Sequence, residues 1–128
     1  MSIHTTLRYD DPRAAIDFLT AALGFRELHA HTDDTGTIVH AELAWDDRGG
    51  SDVLGLSARK GSDDPFDTGR AVIYLTCDDP DALHERAVAA GASVAMGLTD
   101  QDYGSREFAI TDPEGNAWCV GTYRPRAT

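Results

Sequence analysis

The sequence has few cysteines, few basic residues and no long apolar run, and each shortage excludes a class of protein. Cys77 and Cys119 are the only cysteines among 128 residues, so no disulfide framework is predicted and a reducing, cytoplasmic location is expected. No apolar run reaches the roughly 18 residues that a membrane-spanning helix needs. The first residues, MSIHTTLRYDD, lack the basic and apolar blocks of a signal peptide, so no leader is expected.

Basic side chains are outnumbered by acidic ones. The chain has 22 Asp and Glu residues against 11 Lys and Arg residues, which gives a net charge of −11. This balance predicts no nucleic-acid partner, because binding to phosphates requires clustered Lys and Arg. It also predicts no binding to an anionic membrane surface. A cationic ligand is compatible with the charge, although loop aspartates that only keep the protein soluble explain the same excess.

The familiar catalytic patterns are missing as well. The sequence contains no P-loop, no dinucleotide-binding fingerprint and no Ser-His-Asp order. Cys119 has no histidine placed to activate it, and a small thiol in a strand is usually inert packing. The candidate functional residues are therefore polar and aromatic side chains whose positions are set by the fold.

That scaffold is an internal repeat. A shift of 68 residues (78 minus 10) lays Asp10-Asp11-Pro12 on Asp78-Asp79-Pro80. Each copy reads as a strand, a helix that begins at its Asp-Pro pair and ends at a glycine, and three further strands. We predict a single domain over 1–128, with unit one at 3–58, a polar linker at 59–69 and unit two at 70–124.

The predicted strands follow apolar alternation between loops rich in Asp and Gly. Unit one is expected to have a strand at 3–9, a helix at 12–24 and strands at 25–32, 37–45 and 52–58. Unit two is expected to have a strand at 71–77, a helix at 80–91 and strands at 93–98, 105–111 and 116–123.

Each helix can cover only one face of its sheet, so the other face needs a partner. The predicted fold class is α+β, with two βαβββ units whose curved mixed sheets lie around a cleft and one helix on the outer face of each. Exposed sheet edges favour a homodimer. The cleft lies either between the two units of one chain or between units of two chains.

The clearest local pattern is YGSREFAITDPEGNAWCVGTY, residues 103–123, which reads as two strands joined by a tight turn at 112–115. In the second strand Trp118 and Val120 share one face. The other face carries only small side chains, those of Ala117, Cys119 and Gly121. A strand with small residues on one face can line a concave space, and we expect a ligand there.

The βαβββ repeat, the Asp-Pro helix starts and the ending REFAITDPEGN-x-W resemble the vicinal oxygen chelate superfamily. This superfamily includes glyoxalase I, extradiol dioxygenases and the fosfomycin and bleomycin resistance proteins. The resemblance extends from Ile3 to about Pro125. Within the superfamily, YGSREFAITDPEGN is most similar to bleomycin-resistance-like proteins and to glyoxalase-like proteins of unassigned activity.

Enzymes of this superfamily usually bind a divalent metal through the first and last strands of each unit. The resemblance places those four positions at His4, Gly55, Val72 and Cys119. Glycine and valine have no donor atom for a cation, and two remaining donors make a poor site for Zn, Ni, Mn or Fe(II). The resemblance therefore implies no cofactor for this chain, with a divalent metal as the alternative.

Eight side chains are candidate ligand-binding residues, because strand alternation or loop position directs them toward the predicted cleft: His4, Thr6, Arg8, His40, Glu42, Tyr74, Tyr103 and Cys119. Arg8 can hold an anionic group or pair with an acidic residue of the neighbouring unit. Tyr74 and Tyr103 can stack on a planar ligand. His29 and His31 form an H-x-H pattern that can bind a metal but is more typical of an exposed strand face.

These observations predict a metal-free protein that binds or sequesters a small cationic or aromatic molecule, such as a drug or antibiotic. The alternative is a divergent metal-dependent lyase, isomerase or dioxygenase, with His4, His40 and Glu42 as its ligands. A third hypothesis is a regulatory or structural protein without a small ligand, in which the protein's own side chains fill the cleft.

Overall fold

The computed structural model describes residues 3–61, 63–67 and 69–127. Within those ranges the first unit consists of β1 (Thr6–Tyr9), α1 (Pro12–Leu23), β2 (Arg26–Thr32), β3 (Ile38–Asp47) and β4 (Gly50–Ala58). The second unit consists of β5 (Val72–Thr76), α2 (Pro80–Ala89), β6 (Ser93–Asp100), β7 (Arg106–Thr111) and β8 (Ala117–Gly121). The predicted linker at 59–69 includes residues 62 and 68, which lie outside the described residues.

Both helices begin where the Asp-Pro pairs predict. The Asp11 carboxylate accepts a hydrogen bond from the Ala14 amide at 3.1 Å, and Pro12 occupies the first turn, where its missing N–H costs nothing. Helix α1 ends at Gly24, whose φ of 81° is the left-handed conformation that glycine adopts without strain. Neither helix in the described ranges is long and apolar enough to cross a membrane.

The strands form two sheets of four, in the orders β1-β4-β3-β2 and β5-β8-β7-β6. In each sheet the first strand of the unit runs parallel to the last, and the other pairings are antiparallel. This arrangement confirms the predicted α+β class and its two βαβββ units. Strand β1 starts at Thr6, three residues later than predicted, because its pairing with β4 begins there and Ile3 is exposed.

One face of each sheet is buried against its own helix, and the two helices also contact each other. The buried side chains form a common core that includes Leu7 and Tyr9 of the first unit and Phe108 and Trp118 of the second. The ring of Phe25 packs edge-on against that of Trp118 with centroids 5.6 Å apart. We call the opposite face of each sheet its open face, because it lies on the far side of the sheet from this core.

Candidate functional site

The open face of the second sheet is built by side chains that alternate with core residues along β5, β7 and β8. Tyr74 lies opposite Cys119 in the β5–β8 pair, and Glu107 lies opposite Gly121 in the β7–β8 pair. Their neighbours Leu75, Phe108, Trp118 and Val120 point the other way and are buried in the core. The alternation predicted from the sequence therefore places Tyr74 and Cys119 on one open surface.

Two tyrosines donate hydrogen bonds to the carboxylate of Glu107 on this face, and a third packs against their rings. The hydroxyl of Tyr74 donates to Glu107 Oε2 at 3.1 Å, and that of Tyr103 donates to Oε1 at 2.6 Å. The ring of Tyr123 meets the rings of Tyr74 and Tyr103 nearly at right angles, with centroids 6.4 and 5.8 Å away. We refer to Tyr74, Tyr103, Tyr123 and Glu107 as the tyrosine–glutamate cluster.

A cavity of about 410 Å³ is lined by the tyrosine–glutamate cluster together with Pro125. Tyr103 comes from the β6–β7 loop, and its side chain is largely exposed, whereas Glu107 is only 6% exposed. The cavity therefore has aromatic walls near the surface and a carboxylate at greater depth. Such a combination suits a ligand with both an apolar and a cationic part.

Gly121 makes room for this cluster. A side chain there would overlap Glu107 Cγ and would place a Cβ 2.7 Å from the Tyr74 hydroxyl. Only a glycine at this strand position lets the glutamate and the tyrosine lie against the backbone. The small residue predicted to line a concave space is thus present, and Glu107 and Tyr74 occupy the space next to it.

The electrostatics of the cluster follow from its hydrogen bonds and its burial. The hydrogen bond to Glu107 is the main cause that raises the pKa of Tyr103 to about 12. Partial burial raises the pKa of Tyr74, and its bond to Glu107 adds to that effect. Burial and the nearby Glu107 charge also raise the pKa of the Cys119 thiol, so Cys119 is protonated at neutral pH and is a weak nucleophile.

The open face of the first sheet carries imidazoles and a carboxylate. Residues Thr6, Gly55, Glu42 and His29 lie side by side across β1, β4, β3 and β2. His29 Nε2 is 2.8 Å from Glu42 Oε1, and His40 Nε2 is 3.1 Å from Glu42 Oε2. Hydrogen bonds from both histidines lower the pKa of Glu42, so this carboxylate is ionised at neutral pH.

His4 and Arg8, two other predicted residues of this face, contact different groups. His4 Nδ1 is 3.3 Å from the carbonyl oxygen of Val53. Arg8 forms ion pairs with Asp67 at 3.0 Å and Asp64 at 3.3 Å, both in the predicted linker. Of the two predicted roles of Arg8, the structure shows an ion pair, and its partners belong to the linker between the units.

The residues at the four metal positions of the family do not fit a metal. Val72 and Gly55 have no donor atom, and a Cβ at position 55 would lie 3.0 Å from Thr6 Oγ1. Only His4 and Cys119 of the four have a side-chain ligand atom, and two ligands make a poor site for a divalent metal. No group of three or more potential ligands with metal-binding geometry occurs in the ranges that the structure describes.

A second cavity, of about 350 Å³, lies at the seam between the units. Its lining includes core aromatics such as Phe25, Trp45 and Trp118. Trp45 Nε1 donates to the carbonyl oxygen of Thr76 at 3.0 Å, so this tryptophan joins the two units at the edge of the core. The seam cavity shares Tyr74 and Pro125 with the cavity at the tyrosine–glutamate cluster.

Glu107 and Tyr123 were not among the predicted site residues. Strand alternation could have indicated Glu107. It alternates with Phe108 in β7, so its side chain points to the same side of the sheet as the small residues of β8. Tyr123 follows the end of β8, so strand alternation does not indicate where its ring lies. Only the folded chain shows that these two residues complete the site around Tyr74 and Tyr103.

Comparisons with known proteins agree with this architecture. An uncharacterized protein of Mycobacterium bovis, Mb0911c, is 34% identical in an alignment that covers 88% of this chain and 76% of the relative. The uncharacterized protein Rv0887c of Mycobacterium tuberculosis is also 34% identical, over 88% of this chain and 68% of its own length.

Solved structures share the fold. TioX from Micromonospora sp. ML1 superposes with a TM-score of 0.74 at 26% identity, over 97% of this chain and 99% of TioX. A superfamily member from Sphaerobacter thermophilus has a TM-score of 0.74 at 18% identity, over 94% and 95% of the two chains, which supports the fold alone. Residues 2–120 match the family model described as the Glyoxalase/Bleomycin resistance protein/Dioxygenase superfamily, and the chain therefore belongs to that superfamily.

Proposed function

We propose that this protein binds a small aromatic or cationic molecule without a metal ion, and that it does so as a homodimer. The tyrosine–glutamate cluster is the observation that carries the proposal. It combines a cavity of about 410 Å³, three aromatic rings and a buried carboxylate on one open face. Rings of this kind stack on planar groups, and the carboxylate attracts positive charge.

The side chains around the cavity favour binding over catalysis. The thiol of Cys119 is protonated because burial raises its pKa, so it is a poor nucleophile. Tyr103 has a pKa of about 12 and does not act as a base near neutral pH. Sequestration needs neither group to react, because it requires only a surface that complements the ligand.

Homodimerisation is supported by apolar side chains that the single chain leaves exposed on its open faces. Val72 is 74% exposed and precedes Tyr74 on the same face of β5. Phe66 is 69% exposed and lies against Arg8, which belongs to the open face of the first sheet. A second copy of the chain can cover both faces and close the cavity into a cleft between subunits.

Calorimetric titration of the metal-free protein tests the proposal. The probes are proflavine as a planar cation, 2-naphthol as a neutral planar ring and a cationic glycopeptide antibiotic. We expect at least one probe to bind with a sub-millimolar Kd, and Tyr103→Leu to weaken that binding at least fivefold. Val88→Ala is the matched control, since Val88 is an exposed apolar residue of α2. If none of the probes binds at sub-millimolar concentration, the proposal is wrong.

A metal-dependent lyase, isomerase or dioxygenase is the second candidate function, and one observation favours it. Glu42 lies directly opposite Gly55, one of the family's metal positions, on the neighbouring strand. It is hydrogen-bonded to His29 and His40, so a carboxylate and two imidazoles lie close to that position. Two imidazoles and a carboxylate are common ligands of divalent metals. In the structure, however, both Nε2 atoms contact the carboxylate itself and do not converge on a common point.

Elemental mass spectrometry after incubation with Zn, Ni, Mn or Fe(II) and desalting separates the two candidates. Less than about a tenth of an equivalent of metal per chain supports metal-free binding. One equivalent per chain that is lost in Glu42→Ala but retained in His84→Ala supports the enzyme. His84 is the matched control because its ring packs against Phe108, away from Glu42.

A further inference from the structure

The carboxylate of Glu107 is buried without a cationic partner. The residue is 6% exposed, and its two carboxylate oxygens accept hydrogen bonds from the neutral hydroxyls of Tyr74 and Tyr103. No ion pair involves Glu107 in the described part of the chain. Removing a carboxylate from water without a counter-charge is costly, so this arrangement disfavours the empty site and favours an external cation.

The basic residues that flank the cluster in sequence are already engaged. Arg106 pairs with Asp81 at 2.6 Å and with Asp100 at 3.1 Å. Arg124 pairs with Asp47 and, at 3.0 Å, with Asp78. These ion pairs hold the guanidinium groups away from Glu107. Neither guanidinium therefore neutralises Glu107, and a bound cation can supply the missing positive charge.

The rings around Glu107 restrict the kind of cation. Tyr123 stands nearly perpendicular to both Tyr74 and Tyr103, and all three rings line the cavity. Aromatic walls attract an alkylated ammonium ion through their π faces and also bury its carbon atoms. A divalent metal ion needs several oxygen or nitrogen ligands, and this cavity offers a single carboxylate whose oxygens already bind two hydroxyls.

We propose that the tyrosine–glutamate cluster is a receptor for an organic ammonium group, with Glu107 as its counter-ion and Tyr74, Tyr103 and Tyr123 as its walls. The inference rests on the proposed function, because it assigns a charge class to the ligand of the same site. It excludes a purely neutral aromatic ligand, which the broader proposal allows. The cavity of about 410 Å³ accommodates a trialkylated ammonium head and part of the molecule that carries it.

A pair of probes that differ mainly in charge tests the inference. Choline carries a trimethylammonium group, and 3,3-dimethyl-1-butanol has the same shape with a neutral carbon in place of nitrogen. In NMR titrations of the full chain we expect choline to shift the signals of residues around Glu107. We also expect choline to bind at least tenfold more tightly than the alcohol, because the buried carboxylate and the rings act on the charge.

Two variants assign the effect to the cluster. Glu107→Gln keeps the shape of the side chain and should weaken choline binding at least tenfold. Tyr123→Leu removes one wall outside the strands, so it tests the site even if the glutamine variant is unstable, and it should weaken choline binding at least threefold. Glu85→Gln removes the same charge from an exposed position of α2 and should leave binding unchanged.

Equal binding of choline and its neutral analogue would overturn the inference, as would full choline affinity in Glu107→Gln. If neither probe binds but 2-naphthol still binds in a Tyr103-dependent way, the ammonium receptor is wrong while the proposed small-molecule function stands. If none of the probes, cationic or neutral, binds, both proposals fail.

Discussion

The hydroxyl of Tyr9 donates a 2.6 Å hydrogen bond to Asp112 Oδ2, so a buried pair joins the first strand of one unit to the turn between the last two strands of the other. The same carboxylate accepts the indole N–H of Trp118 at 3.1 Å and the side-chain amide of Asn116 at 3.0 Å. Backbone amides of the turn complete its contacts. Asp112 thus shapes the Asp-Pro-Glu-Gly turn and also connects the two units.

Replacing Tyr9 with phenylalanine should destabilise the protein without changing its fold. The substitution removes one donor from a buried carboxylate, and such losses lower the free energy of unfolding by about 1–3 kcal/mol. Urea denaturation followed by circular dichroism measures the change. Tyr123→Phe is the control, because Tyr123 is 48% exposed and the change keeps its ring; this substitution should cost less than about 1 kcal/mol. A Tyr9→Phe change within about 0.5 kcal/mol of wild type would contradict the role assigned to this bond.

The same pair predicts a loss of stability in alkali. Burial and the hydrogen bond to Asp112 raise the pKa of Tyr9 well above its ordinary value of about 10. Above that ordinary value the unfolded chain releases the proton while the folded chain retains it. The contribution of Tyr9 is therefore complete below about pH 10 and falls by about 1.4 kcal/mol for each further pH unit. Unfolding free energies between pH 8 and 11 should fall more steeply in wild type than in Tyr9→Phe, and parallel curves would refute this.

A larger residue at position 121 should destabilise the protein. In Gly121→Ala the new Cβ would overlap Glu107 Cγ and approach the Tyr74 hydroxyl to 2.7 Å, so the cluster must move. We expect a loss of about 1–3 kcal/mol in the free energy of unfolding, together with weaker ligand binding. Gly97→Ala in β6 is the matched control: a Cβ there meets nothing within 4 Å, so its effect should stay within about 0.5 kcal/mol. Equal effects of the two substitutions would argue against close packing at Gly121.

The repeat and both helix starts are predictable from the sequence because their causes are local. Asp11 and Asp79 cap helices through amides only three residues away, and the prolines that follow them suit the first turn. The turn before β8 is equally local, since Asp112 bonds to amides within four residues. Alternation along β5 and β8 then predicts that Tyr74 and Cys119 face the same way.

The remainder of the candidate site depends on contacts between distant segments. Strand parity alone does not reveal that Glu107 is buried, because that depends on the absence of a side chain at Gly121, fourteen positions further on (121 minus 107). The sequence also leaves the partner of Arg8 undecided between a ligand and an acidic side chain. The linker brings Asp64 and Asp67 to the guanidinium, which the local sequence pattern does not reveal, and a ligand-binding role for Arg8 stays a prediction.

Arg86 joins the two helices and should contribute to the stability of the whole chain. Its Nε donates to the carbonyl oxygen of Ala21 and its Nη2 to that of Thr20, both at 3.0 Å, so it caps the C-terminal turn of α1 from α2. Arg86→Ala should lower the free energy of unfolding by about 0.5–1.5 kcal/mol. Arg86→Lys should recover only part of this, because an ammonium lacks the planar fork that reaches both carbonyls. Arg126→Ala, an exposed control, should have no measurable effect in the same urea denaturation experiment.

Val72 should control assembly, not the stability of the single chain. Strand β5 is at the edge of its sheet, and Val72 exposes 74% of its surface on the open face beside Tyr74. If a second copy covers this face, a charge at position 72 must be desolvated on association, which disfavours the dimer. Sedimentation equilibrium should give about twice 13.8 kDa for wild type and a single chain mass for Val72→Asp.

The control for this experiment is Val94→Asp, in the opposite edge strand of the same sheet. Val94 is 44% exposed but lies opposite Ile110 and so belongs to the helix-covered side, which the proposed dimer does not use. That variant should remain dimeric. A monomeric wild type, or a Val72→Asp protein that stays dimeric, would mean that the open face of the second sheet is not the dimer contact. The tyrosine–glutamate cluster would then have to bind its ligand on the surface of a single chain.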